Sequence, residues 1–87
     1  MIDRPPITPG DFYEDCEFHP CVCIGSSLED DEVWGISLVD GTHPRSCSFR
    51  HCDPQKLTIA QVWEWRSQGP PHVRDDPAFP AERRWWR

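Results

Sequence analysis

The chain has 87 residues and a mass of 10.2 kDa, room for one small domain with tails and not for two. No apolar run approaches the ~18 residues needed to cross a bilayer, and ten prolines with five glycines leave little scope for long helices. Nine basic against fifteen acidic residues give a net charge of -6, which disfavours direct nucleic-acid binding and favours a basic protein surface as counterpart. The first residues, Met1 to Pro6, carry no apolar h-region, so a cytoplasmic protein with reduced cysteines is expected.

Residues 1–8 read as an extended lead-in, and Pro9-Gly10-Asp11 as a turn. Phe12 to Ile24 is rich in aromatic, cysteine and β-branched residues, which predicts one or two short strands broken or bent at Pro20. An acidic hairpin loop follows through Asp31. Glu32 to Val39 alternates cleanly, with Trp34, Ile36 and Leu38 on one face and Val33, Gly35, Ser37 and Val39 on the other. Asp40-Gly41 then predicts a hairpin whose return strand runs from about Arg45 to Arg50.

Thr58 opens the best helix, over 58–68. Thr58-x-x-Gln61 fits a capping box, and Gly69 with Pro70-Pro71 ends it. Ile59, Val62, Trp63 and Arg66 form its apolar stripe, so Ile59, Val62 and Trp63 are expected to face the sheet, with Trp34 also in the core. These elements predict a β-rich α+β domain over 9–69, a small antiparallel sheet or SH3-like barrel with one C-terminal helix. Residues 70–87 read as a Pro-rich linker, with His72 solvated, and a Trp/Arg arm that makes a final helical turn from Pro80.

Five cysteines cannot all pair. Cys16-x-Phe18-x-x-Cys21 and Cys47-x-Phe49-x-x-Cys52 resemble each other, and a β-hairpin bringing them together would offer four thiolates to zinc, with His51 or Cys23 as substitutes. The alternatives are buried free thiols, or a Cys16–Cys47 or Cys21–Cys52 disulfide. Cys47 with His51 or His43 is the minimal nucleophile–base pair, oriented by Asp40, Asp53 or Glu14, but so short a chain has little scope for a substrate cleft as well. No enzymatic activity is expected.

Five tryptophans are many for this length. Trp65, on a different helix face from Trp63, is expected to be partly exposed. With Arg66, Arg83, Arg84, Trp85, Trp86 and Arg87 it makes a candidate surface for a protein partner or a second copy, since tryptophan and arginine are enriched at binding hot spots. The arm could instead wrap back over Trp65.

Read together, Pro9-Gly-Asp-Phe-Tyr-Glu-Asp-Cys16, Gly35-Ile-Ser-Leu-Val-Asp-Gly41 and Pro44-Arg-Ser-Cys-Ser48 with His51-Cys52 resemble a group of small bacterial proteins of uncharacterised function. The resemblance spans about residues 9–58 and implies a stand-alone bacterial module without assigning an activity. The expected function is a non-enzymatic accessory or regulatory module that binds protein, not membrane or nucleic acid. The alternatives are a zinc-stabilised structural domain, or an acidic inhibitor of a nucleic-acid-binding protein with the carboxylates of 11–17 and 29–32 on one face.

Overall fold

The computed structural model describes residues 6–86, so the chain ends, Arg87 included, lie outside the described residues. Strands β1 (Phe12–Glu14), β2 (Pro20–Ser27), β3 (Glu32–Ser37) and β4 (Gln55–Leu57) precede helix α1 (Ile59–Gln68), and a single 3-10 turn covers Ala81–Arg83. The strands form one antiparallel sheet in the order β3-β2-β1-β4, open rather than closed into a barrel.

Asp15 separates β1 from β2. Its Oδ1 accepts from the backbone N–H groups of Glu17 and His19, and Phe18 turns the corner at φ 71°. Pro20 therefore opens β2 opposite Glu14, where its missing N–H costs the ladder least. A bulge between Cys23 and Gly25 lets Gly25 face Trp34. The indole lies directly on that glycine, where a Cβ would come within 2.2 Å of the ring.

The predicted return strand is a stub. Cys47 and Val33 exchange both backbone hydrogen bonds, and Arg45 N–H donates to the Gly35 carbonyl. Beyond Cys47 the chain curls away because Asp31 captures it: the carboxylate accepts from Ser48 Oγ at 2.5 Å and from the Arg50 N–H at 3.1 Å. The Ser48 carbonyl then takes the Cys52 N–H, closing a turn.

Period-two alternation sends two different sets of side chains to the two sheet faces. Tyr13, Cys21, Cys23 and Val33 are buried on one face beneath Ile7 and the Cys47–Cys52 segment. On the other, Phe12, Leu38 and Leu57 meet Val62 and Trp65 of α1. Trp34 is only half-buried, so β3 sends Val33, Gly35 and Ser37 to the interior instead of its larger residues.

The capping box of α1 forms as expected: Gln61 N–H donates to Thr58 Oγ1 and Thr58 N–H to Gln61 Oε1. Its buried face is not the expected one. Val62 and Trp65 point inward while Ile59 and Trp63 are 64% and 62% exposed. Trp65 is held there by Glu14, whose carboxylate accepts its indole N–H at 2.7 Å. Residues 70–80 are only partly the expected solvated linker, although His72 is exposed as expected. Pro70, Val73 and Phe79 are buried, and His72 reaches Glu14 at 3.0 Å.

Candidate functional site

The sulfur-bearing loops meet at one end of the sheet. Cys16 sits in the turn after β1 and Cys52 in the turn after the β3-edge stub, and the two are joined in a disulfide. Cys47 Sγ lies 3.4 Å from Cys16 Sγ, and all three sulfurs fall within 4.8 Å of one another. Only with that disulfide reduced would these three sulfurs be thiols able to hold a metal ion. Cys21, Cys23 and His51 lie outside this triangle, which corrects the expected four-thiolate set. Cys21 and Cys23 stand on the buried sheet face and donate to the carbonyls of His19 and Gly25. Burial raises both thiols above the ordinary range, so they stay protonated. The observed pairing also replaces the two disulfides considered from the sequence and the expected fully reduced state. Burial raises the Cys47 thiol as well, and its sulfur neighbour is Cys16, while His43 and His51 are both exposed.

Beside the sulfurs lies a polar knot that no local pattern of residues announces. The Arg45 guanidinium, nearly buried, places Nη1 3.0 Å from Glu17 Oε1 and Nε 3.4 Å from Asp15 Oδ2. That last contact is a charge attraction without hydrogen-bond alignment, leaving Nε without a hydrogen-bond partner. Nη2 approaches His19 Nδ1 at 2.5 Å, and Ser37 Oγ is 2.8 Å from the same nitrogen. Trp85 packs edge-on against the His19 ring.

Burial and the adjacent Arg45 charge hold the His19 imidazole below its ordinary range, against the opposing pull of Asp15, Asp40 and Glu17. A histidine protonated more readily unfolded than folded stabilises the fold fully above its unfolded pKa, and that contribution is lost as pH falls through the folded value. The melting temperature is therefore expected to drop over the window that opens on acidification at about pH 6.5, before the carboxylates of Asp11, Asp31 and Asp40, all held low by hydrogen bonds, begin to protonate. Thermal melts of His19→Gln should show a flatter slope across that window. An unchanged slope would assign the pH response elsewhere.

The arm folds back. Trp85 donates its indole N–H to the Trp65 carbonyl at 2.9 Å, and Trp86 packs on Phe79 and against Trp85. Arg84 donates to the carbonyls of Arg74, Asp76 and Phe79, and Arg83 stacks over Phe79. Trp65 is 6% exposed, not partly open. Among the expected contact residues, Arg66 and Arg83 stay exposed, Arg66 with its guanidinium 5.6 Å over the Trp63 ring.

Comparison with known proteins gives no match to a family model, to a curated protein or to a solved structure. Among the described residues, an open groove of about 390 Å³ is lined by Phe12, Leu38, Ile59, Val62, Trp63 and Arg66. Lateral pairing of Phe12 with Val22, and of Val22 with Ile36, carries this apolar surface across the sheet. The acids around it are mostly engaged within the chain: Asp11 with Lys56, Glu14 with Trp65 and His72, and Glu64 with Arg74. No helix among the described residues is long and apolar enough to cross a membrane.

Proposed function

We propose that the chain is a small non-enzymatic accessory module that binds a protein partner through a tryptophan–arginine surface on the outer face of α1. The observation that carries this is the exposure of Trp63 and Ile59 above the groove, in a chain that buries its other helix tryptophan. A side chain of that size left in water is a candidate anchor, and Arg66 stacked on it adds a second hot-spot residue. The net charge of -6 opposes pairing with a second copy and favours a basic, apolar-studded partner segment. The acids of 11–17 are largely engaged internally, which favours this reading over charge mimicry of nucleic acid.

A photo-cross-linking amino acid at Ala60, exposed between the two anchors, should trap the partner, whose affinity calorimetry then measures. Trp63→Ala is expected to cost about 2 kcal/mol, roughly 30-fold in Kd, without changing the melting temperature. Unchanged affinity would remove this surface from the binding site. Sedimentation of the isolated protein should show a monomer, and a dimer abolished by Trp63→Ala would make the face a self-interface instead.

One observation favours a second reading, a zinc-stabilised domain: three sulfurs gathered within 4.8 Å. In that case chelating the reduced protein lowers its melting temperature, because metal binding energy is folding energy. A melt indifferent to chelator would dispose of it.

A further inference from the structure

We infer that Cys16, Cys47 and Cys52 form a redox-gated zinc site: the reduced chain holds one zinc ion on three thiolates, and formation of the Cys16–Cys52 bond empties it. This rests on the zinc reading above and adds the ligand set and its regulation. A zinc ion with ligands at about 2.3 Å in tetrahedral array spaces its sulfurs about 3.8 Å apart. The Cys16–Cys47 separation of 3.4 Å and the 4.8 Å bound on the whole triangle are close to that requirement. Once the disulfide is reduced, small outward rotations of the Cys16 and Cys52 side chains would open the ion's place.

The backbone around the sulfurs is suited to a fixed site. The turn bearing Cys16 is pinned by two N–H groups on the Asp15 carboxylate and by the Phe18 N–H on the Asp15 carbonyl. The turn bearing Cys52 is pinned through Ser48 and Asp31. Cys47 is fixed independently by its two hydrogen bonds to Val33. Three ligands thus come from three separately braced positions, leaving the fourth coordination position to solvent or a partner group.

Metal and disulfide are mutually exclusive because they use the same two sulfurs. Hydrogen peroxide is a sufficient oxidant. The Cys16 and Cys52 thiolates give up two electrons and form their S–S bond, the peroxide O–O bond breaks, and two protons from solvent complete two waters. Zinc is left with Cys47 alone and departs, and Cys47 takes up a proton as a buried thiol. Cys16 is the exposed member of the triad, which gives oxidant and reductant their access. Cys21 and Cys23 are buried on the sheet face and stay outside the exchange.

The test uses the full chain, reduced and kept anaerobic, titrated with zinc in competition with a colorimetric chelator and weighed by native mass spectrometry. One zinc per chain is expected. Cys16→Ser should weaken it by roughly 100-fold or more, since even outer-shell changes cost 10–100-fold, while Cys23→Ala keeps it. One equivalent of peroxide should release the zinc and leave a Cys16–Cys52 peptide in the digest. A reduced chain that takes up no zinc would overturn both the zinc reading and this inference. Zinc retained after the disulfide has formed, or released alongside a different pairing, would overturn the gating alone.

Discussion

Removing residues 84–87 is expected to lower the melting temperature by roughly 15 °C or more. The arm contributes about 3 kcal/mol or more, and a domain of this size shifts by about 4–8 °C per kcal/mol. Three contacts go together. The Trp85 indole leaves the Trp65 carbonyl and the edge of His19. The Arg84 guanidinium leaves the carbonyls of Arg74, Asp76 and Phe79, hydrogen bonds that a charge makes stronger than neutral ones. The Trp86 ring leaves Gly69, on which it lies so closely that a Cβ would come within 2.3 Å of it.

Gly69→Ala should reproduce much of the loss by itself, because residue 69 also sits at φ 87°, where an L side chain is strained. Far-UV melts of both variants decide the matter. A truncated chain with an unchanged melting temperature and a lost partner would return the arm to the role of a contact surface.

The two tryptophans of α1 show where sequence pattern stops being decisive. A ten-residue helix with tryptophan at both 63 and 65 offers two stripes, Ile59-Val62-Trp63-Arg66 and Val62-Trp65-Gly69, and helical spacing alone cannot rank them. The ranking comes from partners distant in sequence. Glu14 accepts the Trp65 indole proton from across the sheet, and Trp85 caps the same helix at its carbonyl. Where the determinants were local, the expectation held. The Thr58–Gln61 box, the Gly69 stop, the Asp40-Gly41 turn and the strand opening at Glu32, which ends at Ser37 instead of Val39, all rest on residues within a few positions of one another.

The candidate site was legible by halves for the same reason. Two similar cysteine segments pointed to a sulfur cluster, and three of their four cysteines gather in one. Which members meet depends on strand phase. Cys21 begins inside β2 and alternation turns it to the buried face, paired opposite Ser37, while Cys16, Cys47 and Cys52 lie outside regular strands and converge. The return strand failed as an expectation because Asp31, which reads as one acid in a solvated run, is the acceptor that bends residues 48–52 out of line.

Arg45 carries the other large effect, and nothing in its local sequence marked it. Arg45→Met is expected to destabilise the fold by about 3–5 kcal/mol, the range for breaking a buried ion pair from one side. The substitution keeps an apolar stem of similar length and removes the guanidinium. Asp15, 8% exposed and committed to orienting the β1–β2 turn, is then left without its cation, and Glu17 loses a 3.0 Å contact. The backbone role of residue 45 survives, since its carbonyl still accepts the Tyr13 hydroxyl at 2.7 Å, so the loss reports the side chain alone.

Asp15→Asn in the Arg45→Met background separates charge from packing. Removing the stranded carboxylate charge should recover a substantial part of the stability in a double-mutant cycle, while Asp15→Asn alone leaves Arg45 unpaired there and is costly. Urea denaturation of the four proteins reads this directly. Additive losses would mean that the guanidinium acts by packing against His19 and the sheet, and that its charge is not what holds the β1–β2 turn, with Cys16 in it, in place.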